Sequence, residues 1–154
     1  MATSIDFQKR LIELADDLVG KNKSQKADNI GVERTSFSGA YNYGIVPKTP
    51  TLIKIADYFN VSIEYLMGLT DDEHFIKSDS PKTFFERLDK LRNEKGKITN
   101  NALSKDVHIH RNNIRQWYKI QCLPLIDDVI ILADYFGVSI DYLLGRSDDR
   151  TPYK

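Results

Sequence analysis

Apolar residues recur at helical spacing in two short runs between positions 99 and 119, and a turn separates the runs. Before the first run stands Thr99, whose hydroxyl can cap the N-terminus of a helix. The second run follows His110 and Arg111, where we expect the second helix to begin. The apolar positions are Ala102, Leu103 and Val107 in the first run and Ile114, Trp117 and Tyr118 in the second. The pattern therefore predicts two amphipathic helices joined by a tight turn.

The opposite side of the second predicted helix carries side chains that are rich in hydrogen-bond donors. The members of this donor face are Arg111, Asn112, Arg115, Gln116 and Lys119. In the major groove of DNA, Arg pairs with O6 and N7 of guanine, and Asn or Gln pairs with N6 and N7 of adenine. An ordinary amphipathic helix with a solvated polar side shows the same pattern, so the rest of the chain has to decide between the two interpretations.

The chain contains two copies of one sequence unit, which are offset by 77 residues and align without a gap. The segment 56–68 recurs at 133–145 with most residues identical or similar. Residues 5–72 and 82–149 are therefore copy one and copy two of a unit that is large enough for a compact helical domain. The predicted organisation is a first domain at 1–69, a polar linker at 70–80, a second domain at 81–150 and a tail at 151–154.

Each copy predicts five helices and no strand, so the expected fold class is all-α with two tandem five-helix domains. Ser4 is the expected cap of the first helix in copy one, and Ser80 with Pro81 is the expected start in copy two. The fourth helices are expected at 51–59 and 128–136. The expected inner residues of the first helices are Phe7, Leu11, Leu14 and Leu18, and Phe84, Leu88 and Leu91. Four aromatic residues of the helix pairs, interpreted as core rather than base-stacking groups, are Phe37, Tyr41, Trp117 and Tyr118.

Each copy resembles a lambda-repressor-like domain of the XRE (Cro/CI) helix-turn-helix family, and the ending at 133–146 is similar to that of repressors from Gram-positive bacteria, their prophages and mobile elements. Copy two matches the family pattern at Thr99, Leu103, Ile109, Ile114, Trp117, Pro124 and Ala133. Copy one matches it at Ala27, Gly31, Val32, Phe37, Pro47 and Ala56. Copy one departs from the pattern at three positions. Lys26 stands where leucine is usual, Ala40 stands where tryptophan is usual, and Gly39 stands at a usual base-reading position.

The resemblance implies that the second helix of each pair lies in the major groove of double-stranded DNA and that the first helix braces it across a phosphate strand. The base-reading residues that it implies in copy two are Arg111, Asn112 and Gln116, with Asn100 at the start of the bracing helix. The corresponding residues of copy one are Arg34, Thr35, Gly39 and Lys23. Flanking residues that could reach phosphates are Arg115, Lys119, Ser38 and Asn42.

The distribution of charge supports this orientation independently of the family. The chain has 22 basic and 22 acidic residues, so it is not a polycation that would bind nucleic acid nonspecifically. Basic residues concentrate in the helix-pair segments 20–48 and 97–119, whereas acidic residues concentrate in the closing helices. This separation would orient the protein on DNA while keeping its salt-dependent nonspecific affinity modest.

The sequence predicts no enzyme, metal site or cofactor, because it has no phosphate-binding glycine loop and no paired nucleophile and base. His108, His110 and Cys122 lack the spacing of zinc ligands, and we expect Cys122 to be a small buried residue. One cysteine allows no internal disulfide. No run has the length and apolar character of a signal peptide or a membrane span, so we expect a cytoplasmic protein without a membrane partner.

Two hypotheses about function remain open at this point. The first is a sequence-specific DNA-binding transcriptional regulator, expected to be a repressor of phage or mobile-element type. The alternative is a protein-binding module on a repressor fold, such as an antirepressor, antitoxin or phage-encoded inhibitor, with the first domain on a protein partner; the departures at Lys26, Gly39 and Ala40 motivate it. A mixed version places only copy two on DNA. The closing segments at 65–67 and 142–144 are expected to be either core or an exposed patch for a homodimer.

Overall fold

A computed structural model describes residues 3–18 and 21–153, and the helices in these ranges account for all of their regular elements apart from one isolated antiparallel bridge between Thr3 and Ile45. The predicted all-α fold is confirmed. None of the helices in the described ranges has the length and apolar character needed to cross a membrane. The helices are α1 (Ile5–Asp16), α2 (Lys23–Ile30), α3 (Arg34–Tyr43), α4 (Thr49–Phe59), α5 (Ile63–Leu66), α6 (Phe84–Glu94), α7 (Asn100–Val107), α8 (Arg111–Ile120), α9 (Ile126–Phe136) and α10 (Ile140–Leu143).

The described chain divides into two compact units. Unit 1 runs to Phe75 and contains α1 to α5, and unit 2 covers Ile76–Pro152 and contains α6 to α10. The helices α7, α8, α9 and α10 each begin 77 residues after α2, α3, α4 and α5, which is the offset of the sequence repeat. Equivalent positions of the two sequence copies can therefore be compared helix by helix.

Each unit has its own hydrophobic core, formed by the inner sides of its helices. The largest fully buried side chains are Phe7, Leu11, Phe37, Leu52, Ile55, Ile63 and Leu66 in unit 1 and Phe84, Leu88, Leu91, Leu103 and Ile114 in unit 2. Full burial of such a side chain contributes about 1.5–3 kcal/mol. These residues belong to the first helix, the helix pair and the closing helices, so the core holds the helix pair in place from behind.

The closing segments lie inside their own units. Ser62 Oγ and Ser139 Oγ each accept a hydrogen bond of 2.9 Å from the backbone N–H three residues later, which caps α5 and α10. The apolar residues of these segments are all buried: Tyr65, Leu66 and Met67, and Tyr142, Leu143 and Leu144. The interpretation of these segments as core is therefore confirmed, and they do not form the exposed patch that a homodimer through them would need.

An arginine of the first helix anchors the end of each unit. In unit 1, Arg10 Nη2 donates to Asp71 Oδ1 at 2.9 Å, and the guanidinium lies 3.8 Å from the centre of a tyrosine ring in the closing segment. In unit 2, Arg87 Nη2 donates to Asp148 Oδ1 at 2.7 Å, with its guanidinium 4.0 Å from the equivalent ring. The pKa of Asp148 is held below its usual range chiefly by the hydrogen bond from Arg87. The same contact therefore closes both units.

The start of α6 differs from the prediction. The helix begins at Phe84 rather than at Pro81, and its N-cap is Thr83 rather than Ser80. Thr83 Oγ1 accepts a hydrogen bond of 3.1 Å from the backbone N–H of Glu86. A threonine with a glutamate three positions later has the residue types of a capping box, which makes Thr83 a stronger start signal than the Ser-Pro pair upstream.

The residues before Thr83 are not free to extend the helix, because they pair with the end of unit 2. The backbone N–H of Ser78 donates to the carbonyl of Arg146 at 2.8 Å, and that of Lys82 donates to the carbonyl of Gly145 at 3.3 Å. Gly145 has a φ of +76°, and a Cβ at this position would lie 1.8 Å from the Lys82 carbonyl oxygen. Glycine is therefore required where the two segments meet.

Three other helix ends also differ from the prediction. Helix α1 ends at Asp16, so the predicted inner residue Leu18 lies beyond it and is half-buried, as is Leu14. Ala15 occupies the buried position on that side. Helices α4 and α9 begin at Thr49 and Ile126, two residues earlier than expected. Both of these side chains are buried, so the earlier start adds packing contacts to the first turn.

Candidate nucleic-acid interface

The helix pair of unit 2 is capped by its own side chains. Thr99 Oγ1 accepts a hydrogen bond of 3.1 Å from the backbone three residues later and caps α7 as predicted. Helix α7 ends at Val107, and its C-cap His108 has a φ of +59°, which turns the chain sharply. His110 Nδ1 then accepts a hydrogen bond of 3.1 Å from the backbone N–H of Asn112. Helix α8 therefore begins at Arg111 with His110 as its cap, within the predicted range.

The inner side of α8 is held by large buried side chains. Ile114 is fully buried and Trp117 is 5% exposed. The ring of Trp117 packs edge-to-face on Phe84 of α6, with 6.3 Å between the ring centres. Trp117 is therefore a core residue, as predicted, and it fixes the rotation of α8 about its own axis.

Tyr118 connects α8 to α6 through its hydroxyl. The hydroxyl donates to Asp89 Oδ1 at 2.9 Å and accepts from Arg92 Nη1 at 3.2 Å. Burial of the half-buried ring raises the pKa of Tyr118 to about 12; Asp89 adds to this rise and Arg92 opposes it. The phenol therefore stays protonated at neutral pH and acts as a link between helices rather than as a charged group.

The donor face of α8 points away from this core. All five of its side chains are exposed. Within residues 3–18 and 21–153, no hydrogen bond or ion pair engages any of these side chains. The face therefore offers unbonded guanidinium, amide and ammonium groups on a rigid helix, which is the chemistry that base edges and phosphates accept.

Two grooves flank the donor face and bring further predicted residues to it. One groove is lined by Asn100 and Arg115 together with Lys97, so the start of α7 lies beside α8 as the resemblance implied. The other is lined by Lys105 and Arg111, together with Asn101, Ser104 and His110. Lys105 was not among the predicted site residues. The signal that could have identified Lys105 is the change of charge between the copies, since the equivalent residue of copy one is Asp28.

The equivalent surface of unit 1 is bonded to itself. Arg34 and Asp28 are 64% and 51% exposed, and they form a bidentate ion pair. Arg34 Nε donates to Oδ1 at 3.0 Å and Nη2 donates to Oδ2 at 2.7 Å. The hydrogen bond from Arg34 lowers the pKa of Asp28. The arginine that corresponds to Arg111 is therefore already engaged by a carboxylate.

The other predicted residues of unit 1 form a short hydrogen-bonded chain. Lys23 Nζ donates to Asn42 Oδ1, and Asn42 Nδ2 donates to Ser38 Oγ at 3.0 Å. Thr35 is exposed, with no side-chain hydrogen bond to any residue of the described ranges. Gly39 has no side chain to offer a ligand. The structure thus brings Lys23, Asn42 and Ser38 together in hydrogen bonds with one another, whereas the predicted base-reading Arg34 is bonded to Asp28.

Lys26 is buried in unit 1 at the position where unit 2 has Leu103. It is 9% exposed, and its Nζ lies 3.6 Å from Asp16 Oδ1. The Tyr41 hydroxyl donates to the same oxygen at 2.7 Å, and this bond is the main cause of the raised pKa of Tyr41. A polar cluster therefore supports the helix pair of unit 1 at a position where unit 2 uses an apolar side chain.

Cys122 is exposed, so its prediction as a buried residue was wrong. The reason is that α8 ends at Ile120, and the φ of +52° at its C-cap Gln121 redirects the chain away from the core. His108 and His110 are exposed as well. In the described part of the chain, no three His, Cys, Asp or Glu side chains are grouped so that they could hold a metal ion.

One relative has a name that bears on this site. The chain is 32% identical over 66 residues to a protein of Bacillus subtilis (strain 168) named as an uncharacterized HTH-type transcriptional regulator, YobD. The aligned region covers 42% of this chain and 59% of that protein, so the chain spans less than two thirds of the relative's length. No protein-family model matches the chain. No solved structure matches it either.

Proposed function

We propose that this protein is a sequence-specific DNA-binding transcriptional regulator that reads bases with the donor face of α8 and acts by binding rather than by catalysis. The observation that carries the proposal is the set of five exposed, unbonded donor side chains on a helix fixed by Ile114 and Trp117. The similarity to a protein named as an HTH-type transcriptional regulator supports it. The resemblance of both copies to XRE repressors supports repression, of phage or mobile-element type, as the regulatory outcome.

The chemistry divides between specificity and affinity. Arg111, Asn112 and Gln116 have the side chains that bond guanine and adenine edges, and each good bidentate pair is worth about 1–3 kcal/mol of discrimination. Lys105 and Lys119 would contact phosphates, which adds affinity without sequence information. Each phosphate contact releases a counterion, so the binding constant should fall with salt in proportion to the number of contacts.

The experiment is fluorescence anisotropy with duplexes that the full chain selects from a random pool, at two salt concentrations. We expect selective binding that survives competitor DNA and weakens with salt. Arg111→Ala should weaken it about 10- to 100-fold, the loss of one bidentate contact. Arg150→Ala is the matched control, because it also removes one positive charge from unit 2. Arg150 lies outside α7 and α8, where it pairs with Glu94. Binding that is weak and nonselective would refute the proposal.

A second candidate, in which unit 2 binds DNA and unit 1 binds a protein partner, is favoured by the self-bonded surface of unit 1. Arg34→Ala distinguishes it from the version in which both units read DNA. If both units read bases, Arg34→Ala and Arg111→Ala should weaken binding to a similar degree. If only unit 2 reads bases, Arg34→Ala should change the affinity less than about threefold, within the range of a lost peripheral charge. The tethered units would then recognise one half-site strongly rather than two.

A further inference from the structure

Position 28 of unit 1 and position 105 of unit 2 are equivalent sites with opposite charges. Each lies on the first helix of its pair, six residues before the arginine that begins the second helix. In unit 1 the residue is Asp28, which binds Arg34 through both carboxylate oxygens. In unit 2 it is Lys105, which lines a groove together with Arg111 and cannot accept its hydrogen bonds. Among the described residues, the arginine is therefore bonded to its neighbour in unit 1 and unbonded in unit 2.

The geometry of the Asp28–Arg34 pair matters because Asp28 binds the same edge of the guanidinium that DNA would bind. Arg34 donates through Nε and Nη2 to two oxygens in parallel. Parallel donation of this kind is also how arginine recognises guanine O6 and N7 or two phosphate oxygens. To contact DNA in this way, Arg34 has to leave Asp28, and the carboxylate then stays near the phosphates and repels them.

We propose that Asp28 is a specificity-determining residue that closes the helix pair of unit 1 to DNA by occupying the guanidinium of Arg34. The inference rests on the proposed function, because it assumes that unit 2 binds DNA through the equivalent arginine. Asp28 accepts the two hydrogen bonds of Arg34 that a guanine edge would accept from Arg111. Unit 1 therefore does not compete with unit 2 for guanine-containing DNA sites.

Within the described ranges, the Asp28 side chain makes no hydrogen bond or ion pair apart from those with Arg34. Its side chain is half exposed, it does not cap α2, and it is not among the buried residues of that helix. Glu33 provides a matched control, because it is an exposed carboxylate next to Arg34 and makes no cap hydrogen bond to α3. Removing either residue changes the charge of unit 1 by the same amount, but only one removal frees the guanidinium.

The experiment measures DNA affinity and selected sequences for Asp28→Ala and Glu33→Ala, each with Arg34 present and with Arg34→Ala. We expect Asp28→Ala to tighten binding about tenfold and to add a guanine preference outside the site read by unit 2. The gain should vanish in the Arg34→Ala background, and Glu33→Ala should change the affinity less than twofold. Circular dichroism melts verify that all variants fold.

The outcomes separate this inference from the proposed function. If the parent chain binds DNA through Arg111 but Asp28→Ala behaves like Glu33→Ala, or its gain persists without Arg34, the inference fails and the proposed function stands. If neither the parent chain nor Asp28→Ala binds DNA selectively, both fail together.

Discussion

The helix pairs α2–α3 and α7–α8 begin at equivalent positions of the repeat, yet their exposed side chains behave differently. In unit 2 the donor face has no partner among the described residues, whereas in unit 1 Arg34 and Lys23 are bonded by Asp28 and Asn42. The buried sides differ as well, since unit 1 has Lys26 at the position where unit 2 has Leu103. A shared helical frame therefore fixes where side chains lie, but it does not fix whether they are available to a ligand.

The largest effect expected from this comparison is on the stability of unit 2. Leu103→Lys places an ammonium where unit 1 has Lys26, but the residue equivalent to Asp16 is Asn93, so the charge would have no carboxylate partner. Loss of a buried leucine and burial of an unpaired charge should lower the free energy of unfolding by about 3–5 kcal/mol.

Trp117 is the single tryptophan of the chain and is buried in unit 2, so its fluorescence during urea unfolding measures this effect. Leu103→Met is the control, because it keeps the volume and apolar character and should cost under about 1.5 kcal/mol. Similar midpoints for the two variants would show that the site is less enclosed than its zero exposure indicates.

The reciprocal change in unit 1 should be smaller and of opposite sign. Lys26→Leu removes an ion pair of 3.6 Å and leaves Asp16 half exposed, with the Tyr41 hydroxyl as its remaining partner. Because the Asp16 carboxylate stays in contact with water, replacing the buried lysine by an apolar side chain should leave the free energy of unfolding unchanged or raise it by about 1 kcal/mol. Far-UV circular dichroism should detect the shift while Trp117 fluorescence is unchanged. A loss above about 2 kcal/mol would show that the polar cluster is needed for folding.

Periodicity was sufficient to predict the helices and the buried side of α8, because burial of Ile114 and Trp117 imposes a 3.6-residue repeat that is visible in one chain. Periodicity was also sufficient to identify the donor face, because this face is the side of α8 opposite the buried one. The pairing of Asp28 with Arg34 was not predictable in this way. It joins two helices across a turn and depends on side-chain rotamers, which leave no periodic signal.

Local competition explains the other differences. Ser80 and Thr83 are both acceptable caps, and the choice depends on pairing between Lys82 and Gly145, which are distant in sequence. The exposure of Cys122 follows from the left-handed backbone of Gln121, a conformation uncommon for residues other than glycine. Both features are set by tertiary contacts or by single backbone angles, which hydrophobic patterning does not encode.

The smallest effect expected concerns pH and compares two equivalent tyrosines. The pKa of Tyr41 is raised chiefly by its hydrogen bond to the exposed carboxylate of Asp16, whereas that of Tyr118 is raised chiefly by burial, from 10.0 to about 12. The folded state therefore keeps a proton on Tyr118 that the unfolded chain releases above pH 10. This contribution to stability is fully present below pH 10 and is lost as the pH rises to about 12.

Because the Tyr118 ring is only half-buried, solvent screening limits the contribution to about 1 kcal/mol or less. Urea unfolding followed by Trp117 fluorescence at about pH 9 and about pH 11 should show this decline. Tyr118→Phe should reduce the decline in unit 2, and Tyr41→Phe should leave it unchanged, since Tyr41 belongs to unit 1. An equal decline in the parent and Tyr118→Phe would mean that the phenol is hydrated in the folded state, and the link between α8 and α6 through Asp89 and Arg92 would then be loose.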